Sequence, residues 1–287
     1  MSRVAYVNGR FVRQAEAGVS VEDRGFQFAD GVYEVWAVFG GRLADADGHH
    51  ERLSRSLGEL RIVEPMSRGA LAQVLRETAR RNRVRDGIVY LQVTRGAARR
   101  DHAFPTNGTP PTVVATARAV DFAAEDAKAA KGVKVITVPE TRWARCDIKT
   151  VGLLPNALAK QAAREAGAYE AWFVDEKGHV TEGASTNAWI IDAEGRLRTR
   201  DTGANILRGV TRKTLISLAE QLQIQVLEQP FTVEEARAAS EAFITAASTF
   251  VMPVVAIDEA VIGTGLPGPV ATRLRSLYLQ SARMAVA

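Results

Sequence analysis

Lys149 is the first residue whose type and setting indicate chemistry. It lies in the stretch 142–161, RWARCDIKTVGLLPNALAKQ, just before an apolar helical pattern. An amine that forms a Schiff base with a carbonyl compound must spend time neutral, and partial burial beside other cations favours that form. Taken alone, Lys149 is more typical of a solvated lysine than of a catalytic one. Lys160 is the other candidate, but its place inside the helical pattern is the ordinary setting of a surface amine or an ion pair.

Residues 180–187, VTEGASTN, are a second candidate, placed between two short predicted strands. A carboxylate such as Glu182 can keep the nitrogen of a heteroaromatic ring protonated. Ser185, Thr186 and the adjacent backbone N–H groups can bind a phosphate or a substrate carboxylate. A polar turn between strands is the alternative interpretation of the same residues.

Residues 206–212, ILRGVTR, open a further helical pattern. Gly209 lets the backbone approach an anion closely, and Val210 and Thr211 present N–H groups, with the Thr211 hydroxyl, at a helix N-terminus. A plain helix start with a threonine cap is the alternative. The segment is not a P-loop, because the G-x-x-x-x-G-K-[ST] spacing is absent.

The loop 94–105, TRGAARRDHAFP, carries Arg100 and His102 two residues apart. This pair can hold a carboxylate through charge-assisted hydrogen bonds. A solvated basic loop has the same composition, so each of the four segments is ambiguous by itself.

In combination and in this order, the segments resemble the class IV (fold type IV) pyridoxal-phosphate-dependent aminotransferases, and most closely the D-amino-acid-specific members. The resemblance runs over nearly the whole chain. The matching motifs are VEDRGFQFADGVYEV at 21–35, HHERL at 49–53, VTRG and RDHAFP, RWARCDIK, LAKQ, VTEGASTN, ILRGVTR, and ITAAST with PV near the C-terminus.

The resemblance implies pyridoxal 5′-phosphate as the cofactor and assigns it to residues from several motifs. Lys149 matches the Schiff-base lysine, which also moves the α-proton, and Glu182 matches the partner of the pyridine nitrogen. Leu207 matches the residue packed against the ring. The residues matching the phosphate cradle are Arg52, Val210, Thr211 and Ser248, and Gly209 completes the cofactor-binding set through its place at the helix start.

For the substrate, the resemblance implies a carboxylate trap made of Tyr33, Arg100 and His102. Strand parity supports Tyr33, because it shares one face with Val35, Ala37 and Phe39 while Trp36 should face into packing. The substrate-binding set is Tyr33, Val35, Arg100, His102, Ser185 and Thr186. In the family the equivalents of Arg100 and His102 come from the neighbouring subunit, which implies a homodimer with shared sites.

Two positions depart from the family pattern. Ala37 lies where some relatives have a lysine, and Ala247 lies where some have a serine near the phosphate. The phosphate is expected to bind through the remaining donors, and the substrate side of the pocket is expected to be more apolar.

The resemblance predicts transfer of the amino group of D-amino acids, such as D-alanine, to 2-oxo acids. Three sister activities stay open: a branched-chain L-amino-acid aminotransferase, an (R)-selective amine transaminase and aminodeoxychorismate lyase. The Arg100-x-His102 pair favours the D-specific members. Outside enzymes, the alternative is a non-catalytic protein that binds pyridoxal phosphate or another anion.

The elements that must position these residues form a mixed α+β and α/β pattern. Alternation around Asn8-Gly9 predicts a hairpin over 4–12, and a strand over 32–39 meets a turn at Gly40-Gly41. The other predicted strands are 88–94, 112–117, 133–139 and a meander of short strands over 170–198. The predicted helices are 47–62, 67–82, 153–166, 209–222, 233–239 and 267–284.

These elements predict a smaller N-terminal α+β domain over 1–118, a connection over 119–131 and a larger mixed domain over 132–287. A short surface helix is the alternative for the connection. The resemblance places the cofactor at the domain interface. The chain has 287 residues, 46% of them hydrophobic, and a formal net charge of +4. This small excess gives little support for a nucleic-acid partner. The single cysteine, the lack of an apolar signal core and the lack of a membrane-length run predict a cytoplasmic protein without membrane segments. No metal site is predicted.

Overall fold

The computed structural model describes residues 3–106 and 108–284, which form two compact units. The N-terminal unit extends to Asp121 and includes the segment Ile148–Gly152, and the C-terminal unit comprises Phe122–Asp147 and Leu153–Met284. Residues 1–2 and 285–287, the ends of the two predicted domains, lie outside the described residues. The predicted boundaries differ from these units at two places. The predicted connection contains a helix of the C-terminal unit, and the segment around Lys149 belongs to the N-terminal unit.

The described part of the N-terminal unit has six strands, three α-helices and a 3-10 turn at Gln14–Glu16. The elements are β1 (Val4–Val7), β2 (Arg10–Arg13), α1 (Arg24–Phe28), β3 (Gly31–Phe39), β4 (Arg42–Leu43), α2 (Ala46–Glu59), α3 (Arg68–Arg81), β5 (Gly87–Thr94) and β6 (Thr112–Ala119). The strands pair antiparallel in the order β2-β1-β6-β5-β3-β4. Asn8 and Gly9 both have positive φ, as a two-residue hairpin turn requires.

Successive side chains of the central strands point to opposite faces of this sheet, and one of these faces packs against the helices. Trp36 and Val38 are completely buried in a core that includes Leu53 and Leu57 of α2 and Leu75 of α3. The predicted packing role of Trp36 is therefore confirmed. Ile148 also joins this core, which is one reason that the segment around Lys149 belongs to the N-terminal unit.

Nine strands and five helices make up the described C-terminal unit. They are α4 (Phe122–Ala129), β7 (Val133–Pro139), α5 (Leu154–Glu165), β8 (Glu170–Val174), β9 (Val180–Gly183), β10 (Asn187–Ile191), β11 (Leu197–Thr199), α6 (Val210–Gln221), β12 (Val226–Glu228), α7 (Val233–Arg237), β13 (Glu241–Ala246), β14 (Phe250–Ile257), β15 (Ala260–Val261) and α8 (Pro269–Met284).

The sheet of this unit is mixed and runs in the order β12-β11-β10-β13-β14-β7-β8-β9, with β15 added to β14. The pairs β11/β12, β14/β7 and β7/β8 are parallel, and the other pairs are antiparallel. Its central strands β10 and β13 are buried on both faces: Ile244 belongs to one core cluster, and Trp189 and Phe243 to another. The expected mixed α+β and α/β class, with the smaller unit N-terminal, is confirmed.

No helix within residues 3–106 and 108–284 combines the length and the apolar character that a membrane crossing requires. In the same part of the chain, no group of three His, Cys, Asp or Glu side chains is arranged to hold a metal ion.

Candidate functional site

Lys149 is fixed to the sheet of the N-terminal unit through its backbone. Its carbonyl accepts a hydrogen bond of 3.0 Å from the Tyr33 N–H, and its own N–H donates to Ser56 Oγ at 3.3 Å. The side chain is half-buried, and Nζ lies 4.2 Å from the centre of the Tyr33 ring. The structure thus brings together two of the predicted site residues, Lys149 and Tyr33.

Tyr33 and Val35 share their face of the sheet with Tyr90 and Gln92, because Tyr33 pairs with Gln92 and Val35 with Tyr90 across β3 and β5. The rings of Tyr33 and Tyr90 are stacked with centroids 5.6 Å apart, and the Tyr90 hydroxyl donates to Gln92 Oε1 at 2.8 Å. Burial, reinforced by Tyr33, raises the pKa of Tyr90 to about 12, so this phenol stays a donor. The sequence analysis missed Tyr90 and Gln92, although strand pairing opposite Tyr33 could have identified them.

Arg52 is held by Glu34, which lies on the opposite face of β3 from Tyr33. Glu34 is completely buried, and its two carboxylate oxygens accept from Arg52 Nε at 2.6 Å and from Nη2 at 2.8 Å. His49 Nδ1 lies 2.9 Å from Glu34 Oε2. Burial alone would raise the pKa of Glu34, but the charge and hydrogen bonds of Arg52, with the hydrogen bond of His49, hold it well below its usual value.

Arg100 and His102 both contact one aromatic ring in the N-terminal unit. The Arg100 guanidinium carbon is 4.6 Å from the centre of the Phe28 ring, and the His102 ring centre is 5.5 Å from it. Both side chains belong to exposed residues. The predicted carboxylate trap therefore has two of its members in contact with Phe28, a residue that the sequence analysis did not identify.

Glu182 is the centre of a hydrogen-bonded group in the C-terminal unit. It is 5% exposed, and its carboxylate accepts from Arg142 Nη1 at 2.5 Å, from Asn187 Nδ2 at 3.0 Å and from the Leu207 N–H at 3.1 Å. Arg142 also pairs with Glu140. Burial opposes the charge of Arg142, but its hydrogen bonds to Glu140 and the charge of Glu182 outweigh burial and raise its pKa.

This group shows what the sequence analysis missed beside Glu182. Arg142 opens the RWARCDIK motif and Asn187 closes VTEGASTN, yet neither received a role. Asn187 also donates to the Leu207 carbonyl at 3.0 Å, so it ties Glu182 and Leu207 together. The two predicted residues Glu182 and Leu207 are thereby brought together.

Helix α6 begins at the predicted anion site. Gly209 is its N-cap and Val210 its first residue, and a Cβ at Gly209 would collide with Asn187 Oδ1. The Thr211 hydroxyl is buried and has no hydrogen-bond partner in the described part of the chain. The Thr249 hydroxyl, next to the predicted Ser248, is likewise buried and has no hydrogen-bond partner among the described residues. Buried hydroxyls without partners are costly, so both positions fit a ligand that supplies acceptor oxygens.

Ser185 and Thr186 use their hydroxyls within the C-terminal unit. Ser185 Oγ donates to Glu170 Oε2 at 2.6 Å, and Thr186 Oγ1 donates to the same atom at 3.3 Å. Lys160 donates to the Tyr169 carbonyl at 2.7 Å and lies 3.3 Å from Glu170 Oε1. Lys160 therefore makes the ion pair that its position in a helix indicated.

Comparison with known proteins identifies the family of the chain. The model of the family "Amino-transferase class IV" matches residues 31–257. The chain is 39% identical over 280 residues to the D-alanine aminotransferase of Staphylococcus haemolyticus, an alignment that covers 96% of this chain and 98% of the relative.

Solved structures give the same result for the fold. A branched-chain amino acid aminotransferase from T.th., solved with pyridoxamine 5′-phosphate, superposes with a TM-score of 0.89 at 29% identity, covering 99% of this chain and 95% of that chain. The 4-amino-4-deoxychorismate lyase of Pseudomonas aeruginosa superposes with a TM-score of 0.83 at 26% identity, covering 97% and 99% of the two chains. With a family model that matches most of its length and a relative at 39% identity over nearly all of it, this chain belongs to the class IV aminotransferase family.

Proposed function

We propose that the protein uses pyridoxal 5′-phosphate to transfer the amino group of D-amino acids, with D-alanine as the representative donor, to 2-oxo acids. The observation that carries the choice among sister activities is that Arg100 and His102 both contact the ring of Phe28. Two adjacent groups of this kind suit a substrate carboxylate. The name of the relative from Staphylococcus haemolyticus supports the same choice.

The residues present fit the cofactor. The unpartnered hydroxyls of Thr211 and Thr249, the N–H groups at the start of α6 and the Ser248 hydroxyl suit the phosphate. Arg52, held by Glu34, adds a cation. Glu182, fixed by Arg142 and Asn187, suits a protonated ring nitrogen, and Leu207 would pack against the ring. Pyridoxal phosphate, when bound, delocalises the electron pair left on the substrate Cα.

The chain itself supplies proton transfer and orientation. Lys149 would hold the cofactor through its Nζ between turnovers. The freed amine would remove the proton from Cα of the amino donor and, in the second half-reaction, deliver a proton to Cα of the 2-oxo acid acceptor. Tyr33, with its ring 4.2 Å from Nζ, limits the directions in which the amine can point. Tyr90, stacked on Tyr33 and kept protonated, holds that ring in place.

Shared sites in a homodimer are part of the proposal. The surface of the N-terminal unit has exposed apolar side chains near the Arg100–His102 loop, Phe26 at 76% and Phe104 at 48%. In the C-terminal unit, Leu154 and Leu158 lie one turn apart on α5 and are 72% and 65% exposed. Exposed apolar surface of this kind is typical of a face that a partner covers.

The test is turnover of D-alanine with 2-oxoglutarate, followed by pyruvate release and by the configuration of the glutamate formed. We expect pyruvate and D-glutamate. Replacing Lys149 with alanine is expected to lower the rate by about a thousandfold, because proton transfer at Cα loses its base. The matched variant Lys160→Ala should keep its activity.

L-Leucine and an (R)-arylalkylamine serve as competing donors in the same assay. Turnover of L-leucine or of the amine without turnover of D-alanine would overturn the D-specific proposal. Arg100 and His102 would then have to bind a different substrate. Undiminished transamination in Lys149→Ala would overturn the role of that lysine.

A further inference from the structure

Arg24 on α1 is a buried arginine that is not among the residues proposed to hold the cofactor. Its residue is 3% exposed, and its guanidinium lies under the loop that carries Arg100 and His102. Nη1 donates to the Asp101 carbonyl at 2.6 Å and to the Ala103 carbonyl at 3.2 Å, while Nη2 donates to the His102 carbonyl at 3.4 Å. One guanidinium thus reaches three consecutive carbonyls of the loop.

Arg24 is itself held in place by the carboxylate of Asp30. Its Nε donates to Asp30 Oδ2 at 2.8 Å, and the same carboxylate pairs with Arg95 at 2.7 Å. Asp23 caps α1 by accepting from the Gly25 N–H at 2.8 Å, and a Cβ at Gly25 would collide with Thr94. The helix therefore has little freedom to move, and the Arg24 side chain is a rigid support for the loop.

Phe28, one turn after Arg24 on α1, completes the support. The Arg24 guanidinium carbon lies 4.8 Å from the centre of the Phe28 ring, on the same ring that Arg100 and His102 contact. The backbone of the loop is held by Arg24 and the two side chains are held by Phe28. Both supporting residues come from one five-residue helix.

We propose that Arg24 and Phe28 are positioning residues that set the affinity of the enzyme for substrate carboxylates. The inference rests on the proposed function, because it takes Arg100 and His102 as the carboxylate-binding pair. A guanidinium offers a planar fork of donors, whereas a lysine ammonium is a single point of charge that cannot span three carbonyls. A positive charge at position 24 is therefore not enough to hold the three carbonyls; the guanidinium shape is needed as well.

Arg24→Lys separates geometry from charge. We expect it to raise the KM of D-alanine and of 2-oxoglutarate about tenfold, as the loss of one charge-assisted hydrogen bond would, and to leave kcat within about twofold. The affinity for pyridoxal phosphate should not change. Phe28→Leu, which leaves the buried ion pairs intact, should raise the same two KM values.

Arg95→Lys is the matched control. Arg95 is also buried and shares Asp30, but its other donors reach the carbonyls of Leu60 and Arg61 rather than the 101–103 loop. A lysine there keeps a cation beside Phe104. We expect Arg95→Lys to lower the melting temperature at least as much as Arg24→Lys while leaving both KM values within about twofold.

Amide hydrogen exchange over residues 100–104 gives a readout that does not require turnover. Faster exchange in Arg24→Lys than in Arg95→Lys is expected if Arg24 holds the loop. Failure of the wild-type protein to convert D-alanine would overturn the proposed function, and the exchange measurement would still decide the positioning of the loop. Unchanged KM values in an active Arg24→Lys, or unchanged exchange in the loop, would overturn the inference.

Discussion

The environment of Glu34 shows how a single buried charge can organise one part of the candidate site. A carboxylate without solvent contact is costly unless it is paired and hydrogen-bonded. Here both oxygens accept from Arg52, and His49 adds a third contact. Because Arg52 donates to Glu34 through Nε and Nη2, the pair fixes the orientation of the Arg52 guanidinium.

Replacing Glu34 with glutamine should destabilise the protein most at neutral pH. The pKa of Glu34 in the fold is lower than its unfolded value of about 4.3, so its ionised form stabilises the protein above that pH. The contribution is lost as the pH falls toward the folded pKa. We expect Glu34→Gln to lower the free energy of unfolding by about 3 kcal/mol at neutral pH. The deficit should shrink in acid, as measured by urea denaturation of cofactor-free protein.

Glu77→Gln is the control for this effect. Glu77 pairs with Arg80 and Arg81 on α3, which hold its pKa at about 2, but these pairs are at the surface, where solvent screens them. Its replacement should change stability little. A Glu34→Gln deficit that is the same at neutral and at acid pH would assign the effect to packing rather than to charge.

An ordered set of motifs predicts roles for Lys149 and Glu182 from the sequence, and the hydrogen bonds around Glu182 fit its predicted role. Residue roles were not predictable where the role depends on contacts between distant segments. Arg142 reaches Glu182 across 40 positions, and Arg24 reaches Asp101 across 77. Ser185 and Thr186 looked suited to an external anion, but their hydroxyls bind Glu170, whose place beside them arises from the pairing of β8 with β9.

At the scale of elements, the start of α6 combines an N-terminal positive dipole with an unpaired hydroxyl. Thr211 lies in the first turn, where backbone N–H groups have no partner within the helix. The cofactor-free protein therefore has a buried donor at this end of the helix that a phosphate can use.

Thr211→Val tests this element, because valine keeps the shape of threonine and removes only the hydroxyl. We expect the affinity for pyridoxal phosphate to fall about tenfold, the effect of one hydrogen bond to a charged group. The stability of the cofactor-free protein should stay the same or rise, since the lost hydroxyl had no partner. Cofactor titration and thermal denaturation measure the two effects.

Thr214 provides the comparison one turn along the same helix. Its hydroxyl bonds to the Val210 carbonyl at 3.4 Å, so Thr214→Val should leave cofactor affinity unchanged. Equal loss of affinity in both variants would show that α6 responds to any change in packing, and that Thr211 has no particular role toward the phosphate.

Periodicity predicted α2, α3, α5 and β5 to within a few residues. Each of the three helices packs an apolar face against a sheet, and β5 lies in the sheet against which α3 packs. Periodicity did not predict α1, β13 or β14. Helix α1 has five residues, too few for a helical period, and depends on its Asp23 cap. Strands β13 and β14 are nearly continuous buried runs, EAFITA and FVMPVVAI, whose burial on both faces removes the alternation that marks a half-exposed strand.

At the scale of the whole molecule, the proposed sharing of sites assigns Lys149 and the Arg100–His102 pair of one site to different copies of the chain. The exposed positions of Arg100 and His102, with Phe26 and Phe104 nearby, fit a loop that serves a neighbour. Isologous contacts in a two-fold dimer would place two such loops symmetrically. Each copy would then need the other for carboxylate binding.

Mixing two variants that are impaired at different residues of the site, assayed at substrate concentrations below the KM of the Arg100 variant, decides this point. In a mixed dimer of Lys149→Ala and Arg100→Ala, shared sites leave one site with both substitutions and the other with none. We expect equimolar co-refolding to restore about one quarter of wild-type activity, because about half of the dimers are mixed and each has one intact site. Sites contained within single chains would give two defective sites per dimer and no recovery. Mixing Lys149→Ala with Glu182→Gln is the control. Both residues would serve the same site from one chain, so no activity should return. Recovered activity in this mixture would show that the two subunits share more of each site than the loop with Arg100 and His102.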